Sequence, residues 1–152
     1  AATLVGQNLG ADKPKRAENS VWVIGICNMI FLIFVSIIYF IFHEDLIRIF
    51  SQNEDVITIG GQWLRILSYS YFIYGWWMVS VQAFNGAGDT RTPTWINIVF
   101  FWLFQIPMAY FLALHLDWGH KGVFWSVFFS ETGVGIFTLY LFTRGSWKKE
   151  KV

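Results

Sequence analysis

Charge is scarce in this chain. Asp, Glu, Lys and Arg supply 14% of its 152 residues, against roughly 25% in an ordinary soluble domain. Hydrophobic residues make up 55% and aromatics 20%, so a soluble chain of this size would expose large apolar patches and aggregate. A typical cytosolic enzyme, a secreted mini-domain and a disordered tail are all disfavoured. The net charge is only +1, and no basic field points to nucleic acid. Cysteine occurs once, as Cys27, which excludes an intrachain disulfide framework and a multi-cysteine metal site. There is no HExxH, no GxSxG, no Walker loop and no glycine-rich dinucleotide fingerprint. His43, His115 and His120 lack ligand spacing. Neither enzyme chemistry nor a bound metal or cofactor is expected.

Long apolar runs are what the chain does have. Val21–Phe42, Ile66–Phe84 and Trp95–Leu116 carry no Asp, Glu, Lys or Arg, and Val123–Phe142 carries one, Glu131. Each is close to the roughly 20 residues that cross a hydrocarbon core as a helix. Only helices and closed barrels satisfy the backbone there. These runs are continuous rather than short and alternating, which favours helices. The expected fold is all-α and polytopic: four transmembrane helices, about 21–42, 64–84, 95–116 and 123–142. Segment 1–19 reads as the end of a preceding helix plus a loop, and 20–152 as the four-helix segment with a tail. The apolar start, AATLVGQNLGA, suggests part of a longer protein.

Basic residues set the orientation. Lys13, Lys15, Arg16, Arg91, Arg144, Lys148, Lys149 and Lys151 fall on one side, and Arg48, Arg65 and Lys121 on the other. The positive-inside rule then puts both ends of the segment in the cytoplasm. Trp22, Trp95 and Trp147 read as inner-boundary residues, and Trp63 and Trp118 as outer ones. Between the runs, HEDLIRIFSQNEDV (43–56) suggests a short interfacial helix. Ser51 to Glu54 gives a capping-box spacing before the second long helix. In NGAGDTRTP (85–93), Gly86 and Gly88 permit left-handed angles, and Thr92-Pro93 fits a cap and first helical position. The short turns predict helices two, three and four as antiparallel neighbours.

Glu131 is the most unusual residue. A lone acid near the middle of a span must be protonated, paired or facing water. Three and four residues away on its own helix stand Val127, Phe128, Val134 and Gly135, none polar. A partner must come from another helix or from water, so Glu131 is either an ion relay or a packing residue. Tyr71, Tyr74, Met78 and Gln82 share one helical face. They are candidates to line a cavity for a flat cationic compound through cation–π and thioether contacts. Asn97 and Gln105, with Phe101, form a similar face, readable as cavity lining or as interhelical glue. Pro107 lies beyond and is a point for a bend. Asn28 and Ser36 read as packing residues and Arg65 as snorkelling. Gly6 and Gly10 have the small-xxx-small spacing that allows close helix approach.

Three stretches point to a family. TLVGQNLGADKPKRAE (3–18), VQAFNGAGDTRTPTWIN (81–97) and GVFWSVFFSETGVGIFTLYLFTRGSWK (122–148) resemble the multidrug and toxic compound extrusion (MATE) transporters of the bacterial NorM-like or DinF-like kind. The resemblance implies twelve helices in two six-helix lobes, of which this chain would be the end of the eighth and helices nine to twelve. It implies Na+ or H+ antiport that drives export of cationic or amphipathic drugs and metabolites by alternating access across the bacterial inner membrane. Partners so implied are membrane lipid, small organic cations and the missing N-terminal lobe. Gly6, Gln7, Asn8 and Gly10, with Gly86, Gly88, Asp89, Thr90 and Pro93, would be structural family markers. One feature departs from the pattern. Some members carry a coupling acid in the tenth helix, whereas Leu64–Phe84 has none, and Glu131 matches no known coupling position. A lipid-linked sugar flippase of the same superfamily is the alternative, but the span interiors lack the Arg or Lys such cavities use. A four-helix scaffold without transport would need these residues to be the whole protein.

Overall fold

The computed structural model describes residues 1–149, and Lys151 with the last part of the tail lies outside the described residues. Helix α1 (Ala2–Gly10) leads through a turn at Asp12 (φ 54°) into α2 (Pro14–Ile41). Pro14 opens α2 where its missing N–H costs nothing. A single residue, Phe42, separates α2 from α3 (His43–Arg48). Next come α4 (Glu54–Ser68) and α5 (Tyr71–Gly86). The last two helices are α6 (Arg91–His115) and α7 (His120–Arg144), followed by a short 3-10 turn, Ser146–Lys149. No strand occurs among the described residues.

Three of these helices, α2, α6 and α7, are long and apolar enough to cross a membrane. The run expected as one helix over 64–84 is not continuous. It is built by α4 and α5, which stop and restart at Tyr69–Ser70. There is no proline at the break. Ser68 Oγ donates to the Arg65 carbonyl at 2.7 Å; such back-bonding competes with the backbone ladder and bends helices. The Tyr69 and Ser70 amides close short bonds to the Ile66 and Leu67 carbonyls, and the Ser70 carbonyl then accepts from the Ile73 and Tyr74 amides that open α5.

Two cap assignments also change. Asn53, not Ser51, caps α4: its Oδ1 accepts from Asp55 N–H at 2.9 Å, and Ser51 Oγ accepts from Asn53 N–H instead. At the start of α6 Thr90 takes the N-cap position without a side-chain bond, and the carboxylate of Asp89 just before it accepts from Thr92 N–H at 3.0 Å. Thr92 and Pro93 already lie inside the helix. Pro107 does not break α6. It removes the N–H that would bond Leu103, and wider i→i+5 turns run over Ile98–Gln105 and Phe111–His115 on either side.

Helix α5 lies between α2 and α7. Asn28 Nδ2 donates to the Gly75 carbonyl at 2.9 Å, tying α2 to α5. Helix α6 is not packed along α5. It meets α5 near the 87–90 turn and through Trp77 and Phe101, and its main partner is α7, where Ser130 Oγ donates to the Phe100 carbonyl at 2.9 Å. The core sits at the end that carries both chain ends: Val5, Val21, Trp76, Phe84, Phe142 and Trp147 pack together there. Lys148 Nζ pairs with Glu18 Oε2 at 2.7 Å, joining the C-terminal turn to the start of α2. Trp147, expected at the inner boundary, packs into the protein at this end of the bundle. It is fully buried, stacks on Phe142 at 5.1 Å, and its Nε1 donates to the Phe142 carbonyl. Trp22 likewise packs on Trp76, with centroids 4.7 Å apart.

Candidate functional site

The helix break places several polar side chains around one cavity. The cavity measures about 240 Å3. Trp63 and Leu67 line it from α4, Ser70 from the junction, Tyr71 and Tyr74 from α5, and Val127 and Glu131 from α7. Ser70 is 1% exposed. Its Oγ and the Glu131 Oε2 are buried and take no hydrogen-bond partner among the described residues. Unpaired polar groups at membrane depth are costly. Polar backbone in a broken helix is tolerated in membranes only where it is buried in protein or lines a cavity.

An aromatic ladder leads away from the cavity. Tyr71 and Tyr74 lie parallel (2°) with centroids 5.7 Å apart, and Tyr39 of α2 flanks Tyr71 at 5.6 Å. Tyr74 meets Trp77 at 5.4 Å, and Trp77 meets Phe101 of α6 edge-on at 5.5 Å. The ladder thus crosses from α2 through α5 to α6. Flat cations bind such faces through the ring quadrupole, and the Glu131 carboxylate supplies the opposite charge when ionised.

Of the residues singled out from the sequence, the structure brings together Tyr71, Tyr74 and Glu131. Met78, Gln82 and Asn97 remain exposed on the described bundle. Gln105 is half-buried and its Oε1 has no partner among the described residues. Sequence reasoning missed Ser70, Trp63 and Trp77. Trp77 stands three residues from Tyr74, on the same face as Met78 at four, and the larger ring takes the contact. For Ser70 the available signal was Ser68-x-Ser70 inside an otherwise apolar run.

The motif residues meet one another elsewhere. Gly86 sits in the last turn of α5, where a Cβ would collide with the Ala2 carbonyl and approach Ala2 Cα to 2.7 Å. A Cβ on Gly6 would lie 3.1 Å from the Gly86 carbonyl. Gly86 is therefore needed for close approach rather than a left-handed angle. Gly88, at φ +84°, takes the left-handed angle. Gly10 has open space around it. Asn8 Nδ2 donates to the Leu4 carbonyl at 2.7 Å within its own helix, and Gln7 is exposed. Thr90 flanks α6, and Pro93 is buried in its first turn. At the opposite end of the bundle, Arg48 holds Glu54 through two bonds of 3.0 and 3.2 Å. Glu54 raises the guanidinium pKa by this hydrogen bond and its charge.

Comparisons with known proteins agree with the motif geometry. The chain is 26% identical over 150 residues to the "Probable multidrug resistance protein NorM" of Thermotoga maritima, covering 99% of this chain and 32% of that protein. It is 31% identical over 116 residues to the protein of the same name in Pasteurella multocida, covering 74% of this chain and 24% of that one. It is 23% identical over 146 residues to "Protein DETOXIFICATION 31" of Arabidopsis thaliana, covering 96% of this chain and 28% of that protein. The chain thus spans about a quarter to a third of the length of these curated relatives. Residues 1–111 match the MatE family model, so the match takes in the Gly6 and Gly86 motifs and the helices from α1 through most of α6. With those two motifs in direct contact and apolar helices around them, the chain is a multi-pass membrane segment that belongs to the MatE family.

Proposed function

We propose that the protein containing this chain exports cationic or amphipathic compounds by alternating access, driven by Na+ or H+ moving the other way. The observation that carries the reading is the cavity at the α4–α5 break, where Glu131 faces Ser70 and the Tyr71–Tyr74 pair. Transporters place substrate and ion sites at discontinuous helices near the membrane midplane, and an intramembrane acid is by default a functional residue. The relatives' names, which speak of multidrug resistance and detoxification, point the same way. On this reading the segment lies in the inner membrane with both ends cytoplasmic. A lobe formed by residues outside this chain completes the pathway, and Glu131 is the ion relay.

The test is export by the full-length protein in a host stripped of its own efflux pumps. Vesicles loaded with a fluorescent lipophilic cation should lose it when a Na+ or pH gradient of the right sign is imposed. Glu131→Gln should change the ion dependence of that loss. No export under either gradient, with the protein shown to be present, would reject the reading.

A further inference from the structure

The α4–α5 break borders two openings. Ser70 and Tyr71 line the Glu131 cavity, whereas Tyr69 and Phe72 line a separate groove of about 510 Å3. The facing wall of that groove is one stripe of α2, with Ile33, Ser36, Ile37 and Phe40 at the spacing of a single helical face. Tyr69 packs on Phe40 at 6.1 Å and on Trp125 and Phe128 of α7 at 6.4 and 6.5 Å. Aromatic packing between three helices thus fixes the shape of the groove.

Two polar groups stand out along it. Ser36 is 8% exposed, and its Oγ is buried with no hydrogen-bond partner among the described residues. Arg65 lays its guanidinium over the Phe40 ring, 5.4 Å from the centroid. Arg65 is exposed and makes no ion pair among the described residues.

The height of Arg65 follows from the sequence. It directly precedes the apolar run Ile66–Phe84, and Phe40 stands two residues before the end of the run Val21–Phe42. Arg65 and Phe40 therefore mark the edge of the hydrocarbon, where an arginine side chain reaches the headgroups. Ser36 lies one helical turn deeper, about 6 Å. A glycerophospholipid carries its groups in the same order: a phosphate at the edge, ester carbonyls a few bonds below, and acyl chains beneath. A guanidinium binds phosphate through paired N–H bonds, and a hydroxyl donates to an ester carbonyl. Ile33, Ile37 and Phe72 offer the acyl chain an apolar bed.

We propose that this groove is a specific site for a glycerophospholipid of the leaflet on the α3–α4 side, held by its phosphate on Arg65 and an ester carbonyl on Ser36. The site is independent of what the Glu131 cavity carries.

The experiment uses the full-length protein in proteoliposomes that contain a phosphatidylglycerol with a diazirine near the end of one acyl chain. After illumination, the crosslinked residues are mapped by mass spectrometry. Labels should fall on Ile33, Ile37 and Phe72. Ile136 and Tyr140 of α7, 63% and 57% exposed, report ordinary lipid contact. Arg65→Ala should lower groove labelling about fivefold, the effect of one basic residue at a lipid surface, with labelling at Ile136 and Tyr140 unchanged. Arg65→Lys should restore most of it. Ile37→Trp, which fills the groove and leaves Arg65 in place, should lower labelling at Ile33 and Phe72 as well. A diacylglycerol with the same chain but no phosphate should label the parent and Arg65→Ala alike. Groove labelling that is the same in the parent, Arg65→Ala and Ile37→Trp would make this ordinary boundary lipid and overturn the proposal. Absence of groove labelling while Ile136 and Tyr140 are labelled would also overturn it, because another segment of the full-length protein or a second copy then covers the groove.

Discussion

Gly6 and Gly86 meet backbone against side: the carbonyl of Gly86 sits 3.1 Å from where a Cβ on Gly6 would be. Two motifs about 80 residues apart are thus one contact, between α1 and the last turn of α5. In lipid, where helix association depends on close packing rather than on an apolar driving force, small residues set how near two backbones can come.

That contact predicts a sharp contrast between two glycines. Gly86→Val drives side-chain atoms into the Ala2 backbone and should cost about 1–3 kcal/mol through overpacking. Gly10→Ala meets open space and should leave stability unchanged. Thermal unfolding of the purified full-length protein in detergent distinguishes them. Equal midpoints for the two variants would mean that the α1–α5 contact is dispensable.

Trp147 predicts that the C-terminal turn is part of the core. The side chain is fully buried on Phe142, so Trp147→Ala should cost about 3–5 kcal/mol. The neighbouring Lys148–Glu18 pair is half-buried, and Glu18→Gln should cost at most about 1 kcal/mol. A chemical or thermal melt in which the Trp147 variant matches the parent would show that the C-terminal turn is not part of the core.

Asn28 joins α2 to α5 by one hydrogen bond to the Gly75 carbonyl. Asn28→Ala should cost about 0.6 kcal/mol, the average for such a bond within a membrane. The variant should express and assemble nearly as well as the parent. Complete loss of folded protein in size-exclusion chromatography would show that Asn28 does more than bridge two helices.

Tyr74 stacks on Tyr71 and lines the Glu131 cavity, whereas Gln82, four residues past Met78, is exposed. Export of flat cations should fall several-fold in Tyr74→Ala, by loss of a cation–π face worth about 0.5–2 kcal/mol. Gln82→Ala should have a smaller effect. Inhibitory concentrations measured across a panel of cationic dyes and neutral compounds provide the comparison. A loss spread equally over neutral compounds would mark Tyr74 as a packing residue.

Glu131→Gln keeps the size and removes the charge. Its amount in the membrane should equal that of the parent, while export no longer follows the pH or Na+ gradient as the parent does. Transport in vesicles across a range of both gradients reads this directly. An identical profile would assign Glu131 to packing.

Much of the architecture was legible along the chain. The apolar runs, the corner helix α3 and the GQNLGA and GAGDTRTP motifs are properties of short stretches, and periodicity, hydropathy and turn chemistry report on short stretches. The candidate site was legible only in pieces. Glu131 stood out because an acid in an apolar run is costly wherever it points. Tyr71 and Tyr74 stood out because they share a helical face. Ser70 did not stand out, since a serine in a span is unremarkable until its hydroxyl is found buried and unpaired.

By itself, the sequence determined that this is an apolar, all-helical membrane segment of the MatE family, since run length, charge placement and motif spacing are written in the order of residues. The tertiary structure alone decided that the second run splits at Tyr69–Ser70, that Glu131 faces that split, that Trp147 is core, and that α6 packs on α7 rather than along α5. Each of these depends on which distant residues fill the space beside a helix. In a bilayer nearly every face of these helices is apolar enough to meet lipid or protein, so hydropathy cannot choose between them and close packing does.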